Sequence, residues 1–374
     1  MNILVTSGSL NAPLVIMESL ARQGHHVYLL DSDSYCVGFH SKYCKMGIVT
    51  PAENEEIRYV EAIVKIVQSK KYDFLIPTSD LSTEILSAHR ERILPYVGML
   101  LPPKELIELA RFKDRTYRFA LEKGIAIPQT YFPQSLNDVR QLAQKSIFPC
   151  VAKKSRGTAN KGNAYFNDKQ SLVNYYEHLI PDDGWPVIQE FIPGDLYGFL
   201  AVTHQGELLD CFLYKTEQKY IAGGTPPYCY SIVDKEFLNT AQQIVKLLNW
   251  TGAINIDFIK GQDSQWRLLE INPRLSGTLP FAYKLGVDLP NIYLSLATGL
   301  SGKNFQGIHY KPNVRFRFIL AEIIFAFKHK KHWWKFITNC LDFRIKNDIS
   351  WNDPILLAWE LRHLRWFLQD IKKI

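Results

Sequence analysis

The stretch RLLEINPRLSG (267–277) sets Glu270, Asn272 and Arg274 at every second position of an otherwise apolar run. Alternate residues of a strand share a face, so a carboxylate, an amide and a guanidinium project together there. Upstream, GAINIDFIK (252–260) turns Asn255 and Asp257 one way and Ile254, Ile256 and Phe258 the other. The connection KGQDSQ is short enough for a hairpin. A register pairing Ile259 with Trp266 puts Asn255, Asp257, Glu270 and Asn272 on one face, with Leu269 and Ile271 on the opposite face. Two acids and an amide oxygen are hard ligands of the kind Mg2+ takes together with phosphate oxygens. Without a cation, two carboxylates about 4 Å apart repel by roughly 4 kcal/mol at an effective dielectric of about 20. Arg274, next on the same side, is placed to stabilise charge on a transferred phosphoryl group. The plain alternative is a solvated polar face on an ordinary hairpin.

The elements that must position these residues fall into two regions. Over the first hundred residues, NILVTSG (2–8), APLVIMESLARQG (12–24), HVYLLDSD (26–33), IRYVEAIVKIVQS (57–69) and YDFLIPTSD (72–80) alternate strand and helix, which implies a parallel sheet covered by helices. Asp31 ends the second strand as in dinucleotide-binding folds, but the first turn carries only Gly8 where three glycines would be needed, so that chemistry is not expected. Ser7, Ser9, Ser79 and Asp80 stand at strand C-terminal ends, where open parallel sheets bind ligands; capping a loop is an equally good use for them.

After LPPKE (101–105) the pattern changes to antiparallel strands with a few helices. In FPCVAKKSRGTANKGNAYF (148–166), Lys153 ends a buried strand before a loop bearing Gly157 and Gly162, where a cation and backbone N–H groups can surround phosphate oxygens. Lys154, Arg156 and Lys161 add positive charge. Lys215 ends a hairpin strand, and KYIAGGTPPY (219–228) is a Gly/Pro-rich loop suited to closing over substrate.

At 374 residues, about two or three domains are expected. With 47% hydrophobic and 22% charged residues the chain is an ordinary folded one, and a net charge of +7 spread over this length selects no partner. Six scattered cysteines without a C-x-x-C pair suit reduced thiols in the cytoplasm. FILAEIIFAF (318–327) is too short to span a bilayer and contains Glu322. The basic, aromatic segment 314–337 suits docking on the body or on a second subunit better than an anionic membrane. The last residues form an amphipathic pattern with Trp359, Leu361, Leu364 and Phe367 inward, and no motif points to nucleic acid.

In order along the chain, FKDRTYRFALEKGIAIPQTY, FPCVAKKSRGTANKG, VIQEFIPGD, GAINIDFIKG and LLEINPRLSG resemble the ATP-grasp superfamily, especially its carbamoyl-phosphate synthetase-like and carboxylate-amine ligase branches. The resemblance covers roughly residues 1–302. It implies an α/β and α+β architecture: a leading parallel α/β domain (1–100), a small lobe with the phosphate loop (101–190), a large lobe with the metal site (191–302) and a helical C-terminal extension (303–374). ATP would lie between the lobes with two Mg2+ (or Mn2+) ions on Asp257, Glu270 and Asn272. The resemblance assigns Lys113, Lys153, Gly157 and Gly162 to phosphate, Glu190, Phe191 and Ile192 to adenine, and Arg274, Lys153 and Lys215 to phosphoryl transfer. Leu196 occupies the usual ribose position, so Asp195 takes that part, and Lys154 replaces the proline that commonly follows the strand lysine. The implied reaction activates a carboxylate as an acyl phosphate for attack by an amine, with ADP and phosphate released. Bicarbonate activation and a nucleotide-binding module without turnover are the alternatives. Small carboxylates and amines are the expected partners, with a homodimer and peripheral membrane contact through the tail left open.

Overall fold

The computed structural model describes residues 1–145, 148–156, 162–179, 184–216, 226–300 and 305–358. Four parallel strands open the chain: β1 (Asn2–Val5), β2 (His26–Asp31), β3 (Cys44–Val49) and β4 (Phe74–Ile76), ordered β3-β2-β1-β4. Ile3, Leu4 and Val5 are all buried, as expected of a strand covered on both faces. Helix Asn11–Arg22 presents Val15, Ile16, Met17 and Leu20 to that sheet and to helices Leu279–Lys284 and Leu289–Ala297. One apolar core therefore runs from Ile3 and Leu29 through Met17 to Phe212 and Phe281. The leading sheet and the large sheet below share it.

A small antiparallel sheet follows: β5 (Thr130–Tyr131), β6 (Cys150–Lys153), β7 (Asn163–Phe166) and β8 (Val187–Glu190), ordered β5-β8-β6-β7. The large sheet comprises β9 (Leu196–His204), β10 (Glu207–Thr216), β11 (Tyr228–Ser231), β12 (Gly252–Lys260), β13 (Trp266–Asn272), β14 (Arg315–Arg317) and β15 (Lys346–Asn347), ordered β13-β12-β9-β10-β11-β14-β15. Its far face is covered by helix Lys235–Leu247, where Phe237, Phe258 and Trp266 pack together.

The C-terminal region is helical over Ile319–Lys328 and Trp333–Leu341, as expected, but it also contributes β14 and β15 to the large sheet. A boundary at 302/303 thus cuts across a continuous sheet. The docking expected of segment 314–337 is divided: Phe316, Phe318 and Glu322 are buried, whereas Trp334 is 74% exposed. Beyond it Asp353, fully buried, accepts hydrogen bonds from the Ser41 hydroxyl and the Lys42 N–H, strapping the C-terminal region to the leading domain. The inward positions Trp359, Leu361, Leu364 and Phe367 lie outside the described residues. Among those described, no helix is long and apolar enough to cross a membrane.

Candidate active site

The hairpin of β12 and β13 departs from the simple register. Lys260, not Ile259, pairs with Trp266, and the register shifts so that Phe258 faces Leu268 while Asp257 faces Glu270. Leu269 is the extra residue. A β-bulge inserts one residue and re-aims the side chains after it. Leu268 consequently stays in the core, whereas Leu269 joins Glu270 and Asn272 in lining the cleft. This corrects the expectation that Leu269 faces away. The outcome for the acids is as expected, and tighter: Asp257 and Glu270 are direct cross-strand partners, as are Asn255 and Asn272.

These residues floor a cleft of about 500 Å3. Its walls come from the small sheet, with Lys153, and from the strand ends of the leading domain, with Ser9, Ser79 and Asp80. Ser7 instead turns its hydroxyl to Glu53 at 2.6 Å, as Ser79 does at 2.5 Å. Gly198, between Asp257 on β12 and Tyr214 on β10, is a feature the sequence motifs did not flag. A Cβ there would stand 2.0 Å from the Tyr214 ring. Its absence lets Tyr214 cross the sheet and donate to Asn255 Oδ1 at 3.2 Å.

Three cations, Lys113, Lys153 and Arg274, and three acids, Asp80, Asp257 and Glu270, line the cleft, and their placement points to ligands. Burial, then the neighbouring Glu270 carboxylate, pushes Asp257 up to about 7, against amide hydrogen bonds from Asn255 (3.0 Å) and Asn272 (3.2 Å). Two facing carboxylates flanked by an amide oxygen fit a hard divalent cation, which would remove that repulsion. No group of three or more His, Cys, Asp or Glu side chains converges anywhere among the described residues, this cleft included, so an amide oxygen would have to complete the set. Lys113, first residue of helix Lys113–Glu122, reaches Glu270 at 2.7 Å, and its N–H donates to Ser155 O. Lys153 is buried, bonded to Gln189 Oε1 at 2.6 Å, and lies 3.3 Å from the Tyr117 hydroxyl. Burial, then the charge of Lys113, pushes it down to about 8. A buried ammonium beside a second ammonium, only partly offset by the Glu270 carboxylate, favours an anion in the cleft.

Glu190, Phe191 and Ile192 line a smaller adjoining pocket of about 90 Å3 with Val151, Tyr165 and Ile259. Lys153, Asn163, Leu196 and Leu269 line both cavities. Phe191 gives its N–H to Pro149 O and sets its ring edge-on to Tyr165, so its offering there is an apolar wall. Two expected residues stand apart. Lys215 pairs with Asp195 at 2.7 Å, on the face of β10 opposite Tyr214 and Thr216, and neither lines the cleft. Alternation along the strand is the reason. Gly162 is described, with φ +90° beside Lys154, whereas Gly157, Lys161 and residues 219–225 of the Gly/Pro-rich loop lie outside the described residues. Pro226, after that loop, lines the cleft. Arg274 also lines it, bound to Asp80 through Nε (2.6 Å) and Nη2 (3.1 Å), a pairing no local sequence pattern announces.

Comparison with known proteins agrees with this geometry. A family model described as ATP-grasp in the biosynthetic pathway with Ter operon matches residues 224–318, which include Asp257, Glu270, Asn272 and Arg274. The carbamoyl phosphate synthase large chain of Thermoanaerobacter sp. is 26% identical over 56% of this chain, which spans only 20% of that protein. The formate-dependent phosphoribosylglycinamide formyltransferase of Bacteroides fragilis is 24% identical, over 73% of this chain and 70% of its own. An L-amino acid ligase from Bacillus licheniformis shares the fold at TM-score 0.63 and 15% identity, over 79% of this chain and 73% of its own. The family model covers about a quarter of this chain, the hairpin with its opposed acids included, and the chain is similar to ATP-grasp proteins there, with a fold shared over most of its length.

Proposed function

We propose that this protein is an ATP-dependent ligase that activates a carboxylate as an acyl phosphate for attack by an amine. The observation that carries the reading is the direct opposition of Asp257 and Glu270 beneath Lys113, Lys153 and Arg274 in one cleft. The adenine would occupy the pocket of Val151, Tyr165 and Ile192, leaving the triphosphate to run toward Lys153 and the hairpin floor. Asp257, Glu270 and Asn272 would hold the Mg2+ ions, two by family analogy, which supply charge neutralisation on the phosphate oxygens.

A carboxylate oxygen of the substrate forms a bond to the γ-phosphorus as the bond to the β–γ bridging oxygen breaks, and ADP leaves with the electron pair. Arg274 and Lys153 compensate charge on the transferring group without a covalent intermediate on the protein. The amine nitrogen then bonds the acyl carbon, phosphate departs, and the nitrogen loses a proton to solvent. Lys215 has no part in this scheme because it faces the other side of the sheet with Asp195. Free cysteines favour a cytoplasmic setting.

ADP release measured across amino acids, short peptides, sugar acids and bicarbonate, each with and without amines, tests the reading. Release that requires both a carboxylate and Mg2+, and falls about 100–1,000-fold in Glu270→Gln, supports it. Release with bicarbonate alone would favour carboxylation chemistry, and tight ATP binding without release under any condition would reduce the protein to a nucleotide-binding module.

A further inference from the structure

Helix Asp80–Ala88 opens with a Ser79 capping box and sets Asp80 and Glu84 one turn apart on one face. Asp80 is 4% exposed. It takes the Nε–Nη2 edge of Arg274, and Arg111 Nη1 stands 3.5 Å from the same carboxylate. Glu84 accepts from Arg156 Nη2 at 2.5 Å and lies 3.5 Å from Arg111 Nε. Three guanidinium groups thus meet two carboxylates: Arg111 at the end of helix Lys104–Arg111, Arg156 at the base of the glycine-bearing loop, and Arg274 after β13. Of the five, Asp80 and Arg111 are buried and the others partly so; burying paired charge adds little net stability, and apolar packing would often stabilise the fold as well. What the ions add is a fixed direction for each guanidinium.

We propose that Asp80 is a positioning residue that holds Arg274 at the cleft wall before any ligand arrives. The side-on pair leaves Nη1 of Arg274 outside the Asp80 bonds, so a phosphoryl oxygen can be met without reorganising the arginine. Preset donors of this kind are worth more than mobile ones because the orienting cost is met during folding. Asp80 belongs to the leading domain and Arg274 to the large lobe, so the pair also makes the site depend on their mutual placement. Burial by itself would raise the Asp80 pKa; Arg274 and Arg111 outweigh it and hold the carboxyl below its ordinary value. The carboxylate form, which the pairing needs, is therefore secured at neutral pH.

The inference rests on the ligase reading only for what Arg274 meets; the Asp80–Arg274 relationship is measured without turnover. Full-length wild type, Asp80→Asn and Asp80→Glu are treated with phenylglyoxal, and modification of Arg274 is followed by peptide mass spectrometry. MgATP affinity and ADP release are measured alongside. Asp80→Asn is expected to expose Arg274 to severalfold faster modification. MgATP binding should stay within about threefold while kcat falls roughly 10- to 100-fold, the scale on which a misplaced group costs rate. Asp80→Glu is expected to recover part of the loss. Wild-type labelling of Arg274 in folded Asp80→Asn, or a loss confined to KM, overturns the proposal. If Asp80→Asn does not fold, labelling of Asp80→Glu decides: faster than wild type supports positioning and equal to wild type overturns it. A wild type that never releases ADP defeats the ligase reading, while the labelling still decides the role of Asp80.

Discussion

Tyr117 donates its hydroxyl to the main-chain carbonyl of Leu269 at 2.8 Å. Leu269 is the bulge residue that turns Glu270 into the cleft, and a bulge leaves the local ladder incompletely paired. A buried tyrosine from the helix that begins with Lys113 thus satisfies the group that bulging disturbs, while its oxygen also lies near Lys153. Tyr117→Phe is expected to cost about 1–3 kcal/mol through the unsatisfied carbonyl and to slow ADP release by displacing Glu270. Urea unfolding and steady-state kinetics on the same preparation check both; wild-type values in both assays would mean that the bulge holds without this bond.

Asp257 carries a cost that ligand-free protein pays in its own stability. Its folded pKa of about 7 lies above the ordinary carboxylate value of about 4, so the folded state binds protons more tightly. The carboxyl is tolerated below about pH 4 and becomes progressively destabilising as pH rises toward 7. Metal-free Asp257→Asn is therefore expected to be more stable than wild type at pH 8 by on the order of 2 kcal/mol, allowing for partial exposure. The difference should vanish near pH 4, and excess Mg2+ should reverse it at pH 8 by stabilising wild type alone. Thermal scans at the two pH values, with and without Mg2+, measure it.

Lys153 sets a pH limit on nucleotide binding. Its pKa in the ligand-free protein is about 8, so the ammonium that meets phosphate is present below that pH and lost above it. ATP affinity is expected to weaken above pH 8 by up to about tenfold per pH unit. Lys153→Met should bind more weakly throughout and show no such slope. Calorimetric titration between pH 6.5 and 9.5 is the check, and a slope unchanged in Lys153→Met would assign the titration to another group.

Gly198→Ala probes the floor. The added methyl would stand 2.0 Å from the Tyr214 ring, so the ring or the strand must move, at a cost of about 1–3 kcal/mol for an overpacked site. Because Asp257 is the other cross-strand neighbour of Gly198, Mg2+-dependent ADP release should fall by more than the loss of folded protein explains. Comparison of specific activity with the folded fraction by near-UV circular dichroism separates the two effects.

The sequence by itself determined the local geometry on which the site depends. Period-two alternation committed Asn255 and Asp257 to one face of their strand and Glu270 and Asn272 to one face of theirs, a buried strand fixed Lys153 at its end, and alternating strands and helices gave the leading parallel sheet. These features follow from strand pleat and hydrophobic period, which a few neighbouring residues encode. Only the tertiary structure decided what depends on contacts between distant segments. Lys215 reads as well as Lys153 as a strand-end lysine; alternation sets it opposite Tyr214 and Thr216, but only the packing of the sheet decided which of those two faces lines the cleft. The Leu269 bulge, the clearance at Gly198, and the capture of Arg274 by Asp80 across 194 positions of sequence likewise have no local signal. They arise where separately specified elements meet, because burial of charge and close packing are properties of the assembled interior and not of any one strand or helix.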